Sequence, residues 1–267
     1  KQWPLKSESL QQAHALVAEQ LSQGHIKPST SPWNTPIFVI KKTSGKFRLL
    51  HDLRAAINAI IEPMGGLQPG LPSSTMIPFN WPLVVLDLED WFFTISLHPD
   101  DAPWFAFSVP ALNHAEPIKR FHWTVLPQGM CNSPTICQRA VDLALQPVCR
   151  KFPDANIYHY MDDILRTAHD QSTLCLIQVA VRQAIQNAGL IVAPEMVQPE
   201  SPWHYLGWRI TQQTIIPQPL MLCVKDPLTL NELQKLLGSL NWLHPVLGLS
   251  IELLHPLFDI IRGNSHL

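Results

Sequence analysis

The chain has 267 residues, 46% of them hydrophobic and 15% charged, with a net charge of −2; that length holds one large domain or two modest ones around a sizeable core. Its 25 prolines, against a typical share of about 5%, argue against a helical bundle and for short elements joined by rigid turns. No apolar run nears the roughly 18 residues that span a bilayer, and Lys1-Gln2-Trp3-Pro4 is no signal peptide, so neither a membrane-spanning protein nor one secreted by its own signal is expected.

Ser7 can cap a first helix whose Leu10, Ala13, Leu16, Val17 and Leu21 keep helical spacing, and Gly24 can end it. Residues 37–42 and 46–52 read as strands around Thr43-Ser44-Gly45. Lys41, Lys42, Lys46, Arg48 and Arg54 cluster on that hairpin; a local basic patch can replace global basicity in a nucleic-acid binder, and a solvated hairpin face explains the charges equally well. Residues 63–78, with Gly65, Gly66 and Gly70, form a connector into the apolar run that ends at Asp87. Residues 105–109 and 121–126 are further strand candidates. Ser133-Pro134 opens a helix, Ser as cap and Pro at the first position, with Ala140, Val141, Ala144, Leu145 and Val148 as its apolar face.

Residues 156–160 and 164–168 are strand-like and only a few residues apart, so a tight hairpin places Met161 and Asp162 at its tip. Residues 172–188 then read as a helix closed by Gly189, and 190–193 as a strand. Residues 203–210 and 214–216 suggest another hairpin. Thr229-Leu230-Asn231-Glu232 matches a capping box, opening a helix with Leu233, Leu236, Leu237 and Leu240 as its stripe. Strands and helices mix without strict βα alternation, which predicts α+β layers.

Cys131, Cys137, Cys149, Cys175 and Cys223 make no Cys-x-x-Cys pair and no zinc-like Cys/His spacing, so a reducing compartment is expected. The absence of a starting Met suggests a processed product or an excised fragment.

Chemistry concentrates in the acids. Asp87 closes the buried-strand run 83–88, and Asp162-Asp163 follow 75 positions after it. An Asp pair in a turn is usually a solvated turn, whereas an acid closing an apolar strand is expensive to bury unless it is paired or binds a metal. An adjacent strand can bring Asp87 to the hairpin tip, and Mg²⁺ takes one or two carboxylates plus substrate phosphates and waters. Two ions roughly 3.5–4 Å apart suit in-line phosphoryl transfer.

Seven motifs occur in an order that resembles retroviral reverse transcriptases almost end to end, closest to alpharetroviral forms with betaretroviral-like endogenous elements next. They are Ser31-Pro32-Trp33-Asn34-Thr35-Pro36, Leu50-His51-Asp52-Leu53-Arg54, Leu86-Asp87-Leu88-Glu89-Asp90, Leu126-Pro127-Gln128-Gly129-Met130, Tyr160-Met161-Asp162-Asp163, Tyr205-Leu206-Gly207, and residues 234–242 from Gln234 to Trp242. The resemblance implies a right-hand polymerase fold: fingers (1–62 and 95–132), palm (63–94 and 133–212, an antiparallel sheet with helices on one face) and partial thumb (213–267). It implies an RNA-directed and DNA-directed DNA polymerase, adding deoxynucleotides to a primer 3′-hydroxyl on an RNA or DNA template. Two Mg²⁺ ions, with Mn²⁺ as a substitute, would be held by Asp87, Asp162 and Asp163. An intracellular or virus-particle setting follows, and the oligomeric state stays open.

By the same resemblance Lys41 and Arg48, with Lys42 as the substitute for Lys41, would hold the triphosphate of the nucleotide. Asp90, Gln128 and Gly129 would line its site, and Phe92 would be the steric gate against a ribose 2′-hydroxyl. As bare residues, Phe92 and Phe93 are more often core. Tyr160 and Met161 would lie near the primer end, and Tyr205, Leu206 and Gly207 in a primer grip. Gln234, Gly238 and Trp242 share one helix face, which would follow the duplex minor groove or serve as a packing stripe.

Three departures stand out. Met196 replaces a Lys after Pro194-Glu195, Trp91 replaces a usually small residue beside the site, and the segment 52–58 is one residue longer than usual. The chain stops soon after Ile261-Arg262-Gly263, so a short thumb is expected to weaken duplex grip. A catalytically weak endogenous relic acting as a nucleic-acid or protein binding module is the second reading. A palm-domain nucleotide cyclase is a third, with no use for Gln128-Gly129 or the 234–242 helix.

Overall fold

The computed structural model describes residues 2–42, 45–65, 74–112, 116–218, 229–247 and 250–262. Thr43, Ser44, Gly66, Gly70 and Cys223 lie outside the described residues, as do the side chains of Pro194, Glu195 and Met196. Two compact units divide at Ser201 and Pro202.

In the first unit the elements run α1 (Ser7–Ser22), β1 (Ile26–Pro28), β2 (Ile37–Lys41), β3 (Phe47–His51), α2 (Ile57–Ile60) and β4 (Leu83–Glu89). They continue through β5 (Ala106–Val109), β6 (Lys119–Trp123), α3 (Ser133–Lys151), β7 (Asn156–Tyr160), β8 (Asp163–Thr167), α4 (Gln171–Asn187) and β9 (Ile191–Gln198). Every strand pair is antiparallel: a four-stranded sheet in the order β7-β8-β4-β9, a three-stranded sheet β1-β6-β5, and the hairpin β2-β3. Helices and antiparallel sheets segregated in this way make an α+β fold.

β4 is the central strand, and its sequence reads so: Leu83, Val84, Val85, Leu86 and Leu88 are all buried, as a strand covered on both faces requires. Val84, Leu86, Leu88 and Ile164 belong to the main core, together with Val141 and Leu145 of α3 and Ile177, Val181 and Ile185 of α4. Each such side chain contributes about 1.5–3 kcal/mol by leaving water. That core makes a rigid floor for whatever the strand ends carry.

Helix starts differ from the sequence reading by a residue, for a visible reason. Leu10 N donates to Lys6 O, so α1 begins with Lys6 as cap and Ser7 already helical. Asn132, not Ser133, is the cap of α3, and the Ser133 hydroxyl donates to Pro127 O instead. Asp170 caps α4, accepting from Thr173 N at 2.9 Å.

The second unit contains β10 (Trp203–Tyr205), β11 (Trp208–Ile210), β12 (Ile215–Pro217), α5 (Leu230–Leu247) and α6 (His255–Arg262). Residues 203–210, read from sequence as one strand, fold back on themselves. Leu206 and Gly207 both have positive φ, +47° and +81°, the requirement of a two-residue type I′ hairpin loop. The capping box forms as expected, with Thr229 N donating to Glu232 Oε2 at 3.0 Å and Glu232 N donating to Thr229 Oγ1 at 3.3 Å.

Candidate active site

The hairpin β7-β8 closes with Tyr160 opposite Asp163, which leaves Met161-Asp162 as a two-residue loop. Met161 has φ +56°, a left-handed backbone that costs a residue with a side chain roughly 1–2 kcal/mol. The tip is pinned to the neighbouring strand, since Leu88 N donates to Asp162 O at 2.9 Å. On the same ladder Asp87 lies directly opposite Asp163. Two like charges facing each other across strands work against stability, so this register points to a ligand that wants both.

The electrostatics agree. Asp87 is pushed up to about 6 by burial and then by the charge of Asp162. Asp163 rises to about 7 through burial, Asp162 and Asp87, in that order. Asp87 Oδ1 is buried and has no hydrogen-bond partner among the described residues. An orphaned carboxylate oxygen beside two further acids fits a divalent cation. Among the described residues no three His, Cys, Asp or Glu side chains cage an ion unaided; Mg²⁺ is commonly completed by substrate phosphates and waters.

Both raised carboxyls titrate above their unfolded value near 4. Their stability contribution is therefore full below that pH and is lost as pH rises through about 6 and 7. In EDTA the protein is expected to melt lower at pH 8 than at pH 5, by on the order of 1 kcal/mol after solvent screening of half-exposed groups. Added Mg²⁺ or Mn²⁺ should restore the loss at pH 8. Equal melting at both pH values would contradict the mutual repulsion.

Beside the acids opens a cleft of about 500 Å³, lined among others by Arg48, Asp90, Phe92, Gln128, Gly129, Met161 and Asp162. Seven of the residues singled out from sequence therefore meet at one cavity. Asp90, at φ +45°, ends β4 and starts the tight turn Trp91–Thr94 that carries Phe92. Phe93 turns away and stacks on Trp123 at 5.4 Å.

Lys41 is not at that cavity. It pairs with Phe47 and holds its ammonium 5.5 Å from the ring centre, while Arg48 pairs with Ile40. Strand alternation then puts Lys41 and Arg48 on opposite faces of the hairpin. Lys42, whose N donates to Lys46 O at 2.7 Å, continues the ladder on the face of Arg48. Arg54 is engaged by Asp52 through two bonds of 2.9 Å.

Sequence reasoning missed what holds the cleft together. Asn58 Nδ2 donates to Gly129 O at 2.8 Å, and Asn58 Oδ1 accepts from Cys131 N at 3.0 Å. Asn132 Nδ2 donates to Glu62 O at 3.0 Å. Gly129 has φ +113°, and a Cβ there would stand 2.5 Å from His51 O; its freedom serves the chain's own backbone. A lone Asn gives no signal when its partners are backbone atoms 71 and 73 residues away. Asn58→Ala is expected to cost about 1 kcal/mol by removing two hydrogen bonds whose exposed backbone partners water can then satisfy. A denaturant midpoint equal to that of the unaltered chain would rule this out.

In the second unit Tyr205 is buried, whereas the Leu206-Gly207 turn comes to the surface. A Cβ on Gly207 would lie 2.8 Å from Trp242 Cζ2, and Trp208 and Trp242 have ring centres 5.3 Å apart. Trp242 is thus a packing residue of its own unit. Gln234 and Gly238 are exposed, and a Cβ on Gly238 would meet nothing within 4 Å. Gly in a helix interior costs about 1 kcal/mol, and among the described residues no packing accounts for it.

Two family models match the chain: reverse transcriptase (RNA-dependent DNA polymerase) over residues 40–210, and the reverse transcriptase thumb domain over residues 217–267. The chain is 50% identical over 265 residues to the Gag-Pro-Pol polyprotein of mouse mammary tumor virus (strain BR6), covering 99% of this chain and 15% of the polyprotein. Identity is 51% over 267 residues to that of simian retrovirus SRV-2 (99% and 15%), and 50% over 264 residues to that of Mason-Pfizer monkey virus (99% and 15%). The chain spans about 15% of the length of these betaretroviral relatives.

Proposed function

The chain belongs to the reverse transcriptase family, and we propose that it catalyses template-directed attack of a primer 3′-hydroxyl on the α-phosphate of a deoxynucleoside triphosphate. The template is RNA or DNA. The observation that carries this reading is the pairing of Asp87 with Asp163 beside Asp162, at the edge of a cleft lined by Arg48, Phe92 and Gln128.

Asp87 and Asp162 would hold two Mg²⁺ ions, replaceable by Mn²⁺, with support from Asp163; the metal would supply activation of the attacking hydroxyl and charge neutralisation at the departing pyrophosphate. Arg48 offers a planar fork of donors to the triphosphate oxygens. Lys41 or, on the side the register favours, Lys42 adds a point charge. Asp90, Gln128 and Gly129 border the sugar and base, and Phe92 denies room to a 2′-hydroxyl. Tyr160 and Met161 meet the primer end; the Leu206-Gly207 turn and the Gln234-Gly238 face follow the duplex, with Tyr205 and Trp242 supporting them from within. Residues 1–62 and 95–132 serve as fingers, 63–94 and 133–212 as palm, and 213–267 as part of the thumb in a right-hand polymerase.

Incubation with a primed RNA template, Mg²⁺ and all four deoxynucleotides is expected to give template-encoded extension, and a primed DNA template likewise. No product on either template, with tight template-primer binding retained, would favour the other reading: a weakly catalytic relic that binds nucleic acid.

A further inference from the structure

Trp91 is the departure that the proposed chemistry leaves unused. It is 5% exposed and belongs to the main core, yet it also lines the cleft next to Phe92. The two ring centres are 4.9 Å apart at an interplanar angle of 50°, a tilted aromatic contact of the favourable kind. The Trp91 backbone is held on both sides of the turn: its carbonyl accepts from Thr94 Oγ1 at 2.7 Å and from Cys137 Sγ at 3.9 Å. Phe92 is only partly buried, its carbonyl accepting from Ile95 N at 3.4 Å.

A gate that discriminates by size works only if its ring stays put. A Phe has two rotatable side-chain bonds, and an open cleft of about 500 Å³ leaves room for both to turn. Removing the indole would vacate the space behind the ring and let it relax, as side chains do around a new cavity. The bulk at Trp91 and the ring at Phe92 therefore act as one unit.

Resting on the nucleotidyl-transfer reading above, we propose that Trp91 is the positioning residue of the sugar gate: its indole braces Phe92 from the core side and so sets how strongly the cleft selects deoxyribose over ribose.

The test measures kcat/KM for a ribonucleotide and its deoxynucleotide counterpart on one primed template, for the unaltered chain and for Trp91→Ala, Trp91→Phe, Phe92→Val and the Trp91→Ala/Phe92→Val double variant. Trp91→Ala should cut the deoxy-over-ribo ratio by about tenfold or more, the scale at which a changed pocket wall alters substrate choice. Trp91→Phe should restore most of it. The double variant should discriminate no worse than Phe92→Val alone, because residues acting as a unit are not additive. A ratio unchanged in Trp91→Ala, or a double variant whose losses simply multiply, overturns the assignment. If Trp91→Ala fails to fold, Trp91→Leu and Trp91→Phe carry the comparison, and equal ratios in both again overturn it. Absence of extension by the unaltered chain overturns the polymerase reading itself, and the gate with it.

Discussion

Asp162→Asn is expected to reduce primer extension by on the order of 10³-fold or more, about 4 kcal/mol of transition-state stabilisation, while the melting temperature does not fall and, without metal at pH 8, rises as repulsion is relieved. The two halves of that expectation come from different atoms. What anchors the hairpin tip is the Asp162 carbonyl, which accepts from Leu88 N, and Asn keeps it. What is lost is the carboxylate charge that raises both Asp87 and Asp163, the charge a cation would answer. Melting followed by circular dichroism beside extension on an RNA template checks both. A folded variant with full activity would remove Asp162 from the mechanism.

Arg166→Met should move the protein the other way, raising stability by about 1–4 kcal/mol and the melting temperature by roughly 3–12 °C. Arg166 sits on β8 opposite Val84 and Ile157 and is 1% exposed. Its face of the sheet is that of Val84, Leu86 and Ile164, the main core. Nε and Nη2 are buried without a hydrogen-bond partner among the described residues. Burial, and then the positive charge of Arg182, lower its pKa to about 10. Among the described residues no anion offsets the desolvation of that cation, and an unbranched apolar stem of similar length removes the cost. Thermal unfolding at neutral pH decides it; a lower melting point in the variant would mean that the guanidinium has a stabilising partner.

Arg166 also shows where sequence patterning ran out. In the run from Ile164 to Ala168 nothing local marks Arg166 as enclosed: alternation gives it the face of Ile164 and Ala168, and Arg is almost never fully buried unless paired. The sheet instead buries both faces of β8: Leu165 and Thr167 are as inaccessible as Ile164. Which faces are covered depends on helices and strands far away in the chain, and no local period carries that information.

The acids were legible for the opposite reason. An apolar run closed by Asp87 and a short two-strand motif around Met161-Asp162 are local signals, and both elements form where expected. Their juxtaposition was legible only as a possibility, because the pairing of β4 with β8 is a contact across 76 positions that propensity cannot specify. The same limit separates Lys41 from Arg48: both belong to one basic hairpin, but the register decides which face each takes. Of the two readings of the Trp242 face, a surface along a duplex or a packing stripe, the turn at Leu206-Gly207 shows packing at Trp242 itself, which lies against Gly207. Asn58 had no signal at all, since it works on backbone atoms rather than on a recognisable partner.

Asp87, Asp162 and Asp163 are expected to form one cation site. Titration of Mn²⁺ followed by electron paramagnetic resonance, with primed template and a deoxynucleotide present, addresses it without relying on turnover. Binding is expected in the unaltered chain at pH 8, weakening towards pH 5 as Asp87 and Asp163, raised to about 6 and 7, take up protons, and falling at least tenfold in Asp87→Asn. Undiminished Mn²⁺ binding by a folded Asp87→Asn variant would contradict it.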